Sequence, residues 1–120
     1  MNTKINSRLT KKSLKILERL TGGKLTLGKL ICAIRQTDEI TQVEFANKLG
    51  ISRQQLCDIE HDRKFISPKL AAQYANTLGY SQEQFVRLCL QDMVDREGLE
   101  VIIEVTAKRK PHDKLEEAYA

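Results

Sequence analysis

The side chains best equipped for chemistry in this sequence of 120 residues are three cysteines, Cys32, Cys57 and Cys89, and two histidines, His61 and His112. The thiols stand 25 and 32 residues apart, with no close pair among them. A structural zinc needs four donors in clustered pairs, and covalent catalysis needs a nucleophile within reach of an oriented base. Neither pattern is present, nor is a glycine-rich phosphate loop. The sequence therefore argues against an enzyme and calls for no metal and no cofactor. An odd number of cysteines, no signal peptide and no apolar run of about 18 residues point to a cytoplasmic protein in a reducing compartment, with no membrane partner. The thiols then read as small buried hydrophobes.

What remains is recognition through charge and hydrogen bonds. Lys and Arg number 20 against 16 Asp and Glu, a net charge of +4 that permits a polyanionic partner. Its placement is uneven. Residues 1–24 carry Lys4, Arg8, Lys11, Lys12, Lys15, Arg19 and Lys24 against Glu18 alone, whereas residues 25–64 are balanced and the remainder is slightly acidic. The basic arm is either a solvated tail or a phosphate-binding segment. With no Trp and only 5% aromatic residues, stacking platforms for single-stranded nucleic acid are not expected. Hydrophobic residues at 41% are enough for one folded core.

Any recognising side chain must be positioned, and the elements can be read from apolar spacing and capping chemistry. Ser7 to Leu20 has a roughly helical pattern that stops at Gly22-Gly23, giving a basic helix or arm over 1–24. Leu27, Leu30, Ile31 and Ile34 follow helical spacing, so the next helix runs to about Thr37. Four further starts carry a side-chain oxygen able to satisfy free first-turn amides: Thr41 with Glu44, Ser52 with Gln55, Ser67 before Pro68, and Ser81 with Gln84. Leu49-Gly50 and Leu78-Gly79 close two of these helices. The helix after Ser81 has Phe85, Val86, Leu88, Cys89, Leu90, Met93 and Val94 on more than one face and is expected to be buried on several sides. After Gly98, residues 99–107 alternate as one β-strand. The division is an arm at 1–24, a helical domain at 25–97, and a strand and tail at 98–120.

Within residues 42–61 the spacing meets the needs of a helix-turn-helix. It places a small residue, Ala46, where two helices cross and a glycine, Gly50, in the turn. Phe45, Leu49, Ile51, Leu56 and Ile59 then lock the second helix onto the first. On these residues the segment from Leu27 to Val94 resembles the five-helix domain of the phage repressor and Cro-like (XRE) family. That likeness implies a mainly α fold and double-stranded DNA as the partner, bound by a transcriptional regulator, with the second helix of the motif in the major groove. Carried over by position, Arg53 and Gln54 are the leading base readers, Asp58 lies one turn on, and Gln55 and Cys57 are lesser candidates. Arg and Gln suit guanine and adenine edges respectively. Gln42, Ser52, His61, Arg63 and Lys64 are placed against phosphates. The family commonly has Asn-Gly where this chain has His61-Asp62, which sets an acid near the expected phosphates. The likeness also pairs Arg35 with Glu60 as a buried ion pair.

A lone strand cannot satisfy its own backbone, so the alternation at 99–107 implies a second chain. The expectation is a homodimer on a palindromic operator, with Phe85, Leu88, Leu90, Met93, Val101, Ile103 and Val105 at its interface. The competing reading is an antitoxin of a toxin–antitoxin pair, in which the arm or the strand also binds a toxin protein.

Overall fold

The computed structural model describes residues 24–108, together with Lys12 and Ile16, both in helical conformation. The rest of the expected N-terminal arm and the tail beyond Lys108 lie outside the described residues. Five helices are present among them: α1 (Leu27–Thr37), α2 (Gln42–Leu49), α3 (Arg53–Glu60), α4 (Pro68–Leu78) and α5 (Gln82–Arg96).

Each helix begins on a side-chain cap. Thr41 Oγ1 accepts from the Glu44 amide at 3.1 Å, Ser67 Oγ from Leu70 at 3.2 Å, and Ser81 Oγ from Gln84 at 3.3 Å. At Ser52 the exchange is reciprocal, because Gln55 donates its amide to Ser52 Oγ at 3.0 Å and accepts from the Ser52 amide at 2.9 Å. Pro68 occupies the first turn of α4, where its missing N–H costs nothing. α2 ends at Gly50, whose φ of 73° lets the chain turn sharply into Ser52 and start α3. That turn fixes the angle between the two helices of the motif.

The core is drawn from all five helices. Leu30 and Ile31 of α1, Phe45 of α2, Leu56 of α3, and Phe85 and Leu88 of α5 are fully buried, with Ala71 and Ala75 of α4 equally enclosed. At about 1.5–3 kcal/mol for each large side chain removed from water, these few residues supply most of the drive to associate. Leu49 and Ile51 pack half-buried against the same core. Ala46, 1% exposed, sits where α2 approaches its neighbours, as a side chain of that size must.

Two departures from the sequence pattern concern the C-terminal third. α5 is not enclosed all round: it buries Phe85, Leu88, Cys89, Gln91 and Asp92, while Met93 is 41% exposed and Leu90 is half-buried. Two polar residues take core positions because each satisfies backbone groups elsewhere, which an apolar pattern cannot reveal. Phe85 and Leu88, expected at an interface with a second subunit, are instead used within the chain's own core. Residues 99–108 form no strand ladder, since the described residues contain no second strand to pair with them. The segment is held instead by the Gln91 side chain, which donates to the Val101 carbonyl and accepts from the Ile103 amide, both at 2.8 Å.

Candidate nucleic-acid interface

α3 is divided lengthwise. Leu56, Ile59 and Glu60 face inward, and Ser52, Arg53, Gln54, Gln55 and His61 are exposed, with Cys57 and Asp58 half-buried between them. At 3.6 residues per turn, Gln54, Cys57, Asp58 and His61 form the outward stripe, with Arg53 and Gln55 on its flanks. The expected base readers therefore do converge on one accessible face of a well-capped helix.

The inward side is anchored by a carboxylate. Glu60, whose side chain is 1% exposed, accepts from Arg35 Nε at 2.7 Å and from Arg35 Nη2 at 3.2 Å, a two-pronged ion pair of the geometry a guanidinium favours. Arg35 Nη1 also donates to the Ile40 carbonyl at 3.1 Å. Gln42, on the first turn of α2, gives Glu60 a further bond at 2.9 Å. One carboxylate thus ties α1, α2 and α3 together. Burial pushes its pKa up, but the bonds from Arg35 and Gln42 outweigh that and hold it below the ordinary carboxylate value. Cys32 lies beside the same pair, and burial followed by the Glu60 charge pushes its thiol up.

The Arg35–Glu60 pairing was legible from the family likeness. The use of Gln42 was not, because the same residue was assigned to a phosphate. One of its two amide hydrogens is taken by Glu60, and one is left.

The outward side is a mesh rather than a set of free side chains. Asp58 Oδ1 accepts from Gln54 Nε2 at 3.0 Å and from Arg63 Nε at 3.0 Å. Arg63 Nη2 also reaches Cys57 Sγ at 3.4 Å, and these bonds raise the pKa of an already basic guanidinium, the Asp58 contact most. The Arg63 and Lys64 amides both turn back onto the Asp58 carbonyl, at 2.8 and 3.2 Å, which fixes the loop that follows α3. His61 Nδ1 lies 2.8 Å from the Cys57 carbonyl; a carbonyl can only accept, so Nδ1 donates there and Nε2 is left for another contact. Ser52 Oγ is used as a cap acceptor, and its hydroxyl hydrogen remains to be donated.

Asp62, the acid in the expected phosphate loop, is turned away from that role. It has a φ of 58°, and its carboxylate accepts from Thr26 Oγ1 at 2.8 and 3.0 Å. Thr26 is also the cap of α1, accepting from the Lys29 amide at 3.1 Å, so Asp62 locks the loop to the start of α1. The next residue but one, Gly28, makes the approach possible: a Cβ there would stand 2.1 Å from the Ile59 carbonyl and 2.6 Å from the Asp62 carboxylate. On the other side of that helix start, Asp92 of α5 accepts from the Leu27 amide at 3.0 Å. Burial pushes the Asp92 carboxyl up to about 6, the Leu27 bond lowering it only in part and the Asp62 charge adding to the rise. Sequence reading found none of Thr26, Gly28 and Asp92. Thr26 followed by apolar spacing was the one available signal.

This arrangement is a rigid scaffold carrying an exposed polar helix face. A family profile described as "Helix-turn-helix domain" matches residues 28–89, slightly more than half of the chain. The chain belongs to the XRE-type, phage-repressor-like helix-turn-helix family. A stretch of 55 residues is also 42% identical to an immunity repressor protein of Bacillus phage phi105. That stretch is 46% of this chain and 38% of the relative, so the chain spans well under half the length of the protein it resembles. No solved structure matches it. No helix among the described residues is long and apolar enough to cross a membrane.

Proposed function

We propose that the protein is a transcriptional repressor that binds duplex DNA in a sequence-specific manner through α3. One observation carries the reading: a capped helix with an exposed face of Arg53, Gln54 and Gln55 is pinned from behind by the buried Arg35–Glu60–Gln42 cluster. A helix held rigidly and left polar on its outer side suits the major groove, where Arg can grip guanine O6 and N7 and Gln can grip adenine N6 and N7. Ser52, Lys64, His61 and the remaining hydrogen of Gln42 are the groups that would meet phosphates, and the positive end of the α2 dipole would favour the same anion. Arg53 is the first of the base readers.

On this reading the basic residues of 1–24 add phosphate contacts without sequence choice, and the chain acts as a homodimer on a palindromic site. Two recognition helices about 34 Å apart would then read successive major grooves on one face of the duplex. The antitoxin reading keeps the same DNA-binding face and gives the exposed segment after Gly98 to a toxin.

Selection of bound duplexes from a random pool tests the proposal, returning the half-site and the spacing together. Arg53→Ala should relax the preference at one base pair by about 1–3 kcal/mol and leave the fold intact. A chain that enriches no sequence would overturn the reading, and an Arg53→Ala profile identical to wild type would remove Arg53 from it.

A further inference from the structure

The segment after α5 is docked along one edge by a single side chain. Gln91, buried in α5, lays its amide along the backbone like a neighbouring strand, donating to the Val101 carbonyl and accepting from the Ile103 amide at 2.8 Å each. Its Nε2 also donates to Asp95 at 2.9 Å, which fixes the amide in place. In extended backbone the N–H and C=O groups of alternate residues point to opposite edges. With the Val101 carbonyl and the Ile103 amide both on Gln91, an extended course of the chain directs the groups of Glu100, Ile102 and Glu104 the other way. Among the described residues nothing bonds the Ile102 amide or carbonyl, and the Ile102 side chain is 85% exposed. Leu99 and Val101 are also exposed, at 53% and 47%.

We propose that this open edge pairs antiparallel with the same edge of a second copy, in a register centred on Ile103. This deepens the dimer reading above and rests on it. The open edge limits hydrogen-bonded pairs to even-numbered residues, so a two-fold axis must pass through a residue rather than between two, and centring on Val105 would set Val101 and Leu99 against positions 109 and 111, beyond the alternating segment. Centring on Ile102 sets Glu100 against Glu104 twice, and centring on Glu104 sets that residue against itself, both unfavourable. Centring on Val101 runs the ladder into Gly98, whose φ of 75° belongs to the turn out of α5. Centring on Ile103 uses 99–107 in full. It places Ile102 opposite Glu104, Glu100 opposite Thr106, Val101 opposite Val105, and Ile103 opposite its own copy. Charge is thereby kept from charge, and Leu99, Val101, Ile103 and Val105 of both chains share one apolar face. That self-complementarity favours a second copy over a foreign strand as the occupant.

The register makes a test of paired cysteines possible. Residues facing each other in a non-hydrogen-bonded antiparallel pair have Cα atoms about 4.5 Å apart, within disulfide range, whereas residues one pair off are about 7–8 Å apart. In the full-length protein Ile103→Cys should form an interchain disulfide under mild oxidation, and Ile102→Cys and wild type should not. Ile102→Pro, which removes an outward N–H, should sediment as a monomer with its helical circular dichroism unchanged. Gln91→Ala should weaken dimerisation at least about tenfold by leaving the segment undocked.

A monomeric wild type would overturn the proposal and leave the edge for a foreign strand such as a toxin's. A dimeric Ile102→Pro variant, or equal cross-linking at 102 and 103, would also overturn it. The DNA reading is judged separately, since a cross-linking dimer that selects no duplex fails that reading alone, and a monomer that selects one fails this proposal alone.

Discussion

Two carboxylates on the same short helix, Glu60 and Asp58, each accept hydrogen bonds from an arginine and a glutamine, yet they do different things. Glu60 takes Arg35 and Gln42 from the two preceding helices, with side-chain exposures of 1% for the acid and 16% for the arginine. Asp58 takes Arg63 and Gln54 from its own helix and the following loop, with exposures of 30% and 54%. The chemistry is the same, and the solvent differs. Out of water a charge that loses its partner has nowhere to go, so the inner cluster governs whether α3 stays in place. In water the outer one is replaceable, so its value lies in how it orients side chains. The lesson is that burial, rather than residue type, separates the scaffold from the proposed reading face here.

The largest expected effect follows from breaking the inner cluster. Glu60→Ala leaves the largely covered Arg35 guanidinium without its partner and should cost up to about 3–5 kcal/mol, read from urea unfolding. An unmoved midpoint would mean that the two clusters are energetically alike and that the contrast fails.

Asp92 sharpens the contrast, because it is buried like Glu60 and accepts one backbone amide in place of a two-pronged guanidinium. Burial therefore wins, and its carboxyl rises from 3.8 to about 6, whereas that of Glu60 falls below its ordinary 4.5. Between 3.8 and about 6 the folded chain holds a proton on Asp92 that the unfolded chain has released. Its share of stability therefore grows as pH falls through about 6 and is lost as pH rises, about 3 kcal/mol in all. Glu60 works in the opposite sense, its contribution being present above 4.5 and lost below. Asp92→Asn, which keeps an acceptor for Leu27, should abolish the gain in stability between pH 7 and 5. Parallel stability curves for the two proteins over that range would show that Asp92 is ionised there in both states.

Much of the scaffold was legible in the sequence because local chemistry announces it. Thr41, Ser52, Ser67 and Ser81 each start a helix in the structure, and Gly50 and Gly79 close two of them, since a cap or a left-handed terminus depends on residues within one turn. The ion pair of Arg35 and Glu60, 25 residues apart, came instead from family likeness. Contacts that join distant segments through ordinary polar residues gave no local signal. Thr26 with Asp62, Leu27 with Asp92, and Gln91 with Val101 and Ile103 all fall in this class, and Gly28 reads as one glycine among six until Ile59 is seen beside it. The alternation at 99–107 was visible as strand-like, but only the Gln91 bonds show which of its edges is taken.

The smallest effect on stability, and the most telling for recognition, is expected at Asp58. Its bonds are exposed, so Asp58→Ala should cost about 1 kcal/mol or less in unfolding. The consequences lie on the outer face. Gln54 Nε2 is directed toward Asp58, and without that acceptor its amide is free to rotate, so preference should weaken at the base pair that Gln54→Ala also affects, while the Arg53 position is kept. Arg63 is freed from its counter-charge at the same time, and an anion is removed from the face proposed to meet phosphates. Sequence-independent affinity should therefore rise, and the slope of log affinity against log salt should steepen by about 0.9 if Arg63 gains one phosphate. Lower selectivity together with stronger general binding is not what a lost base contact gives, because removing a direct reader weakens the specific complex and leaves the salt slope alone. Duplex selection and a salt titration of Asp58→Ala thus decide between two roles for this carboxylate. A profile altered at a position that Gln54→Ala leaves untouched, with an unchanged slope, would make Asp58 a base reader in its own right and remove the distinction drawn between the outer cluster and the residues it orients.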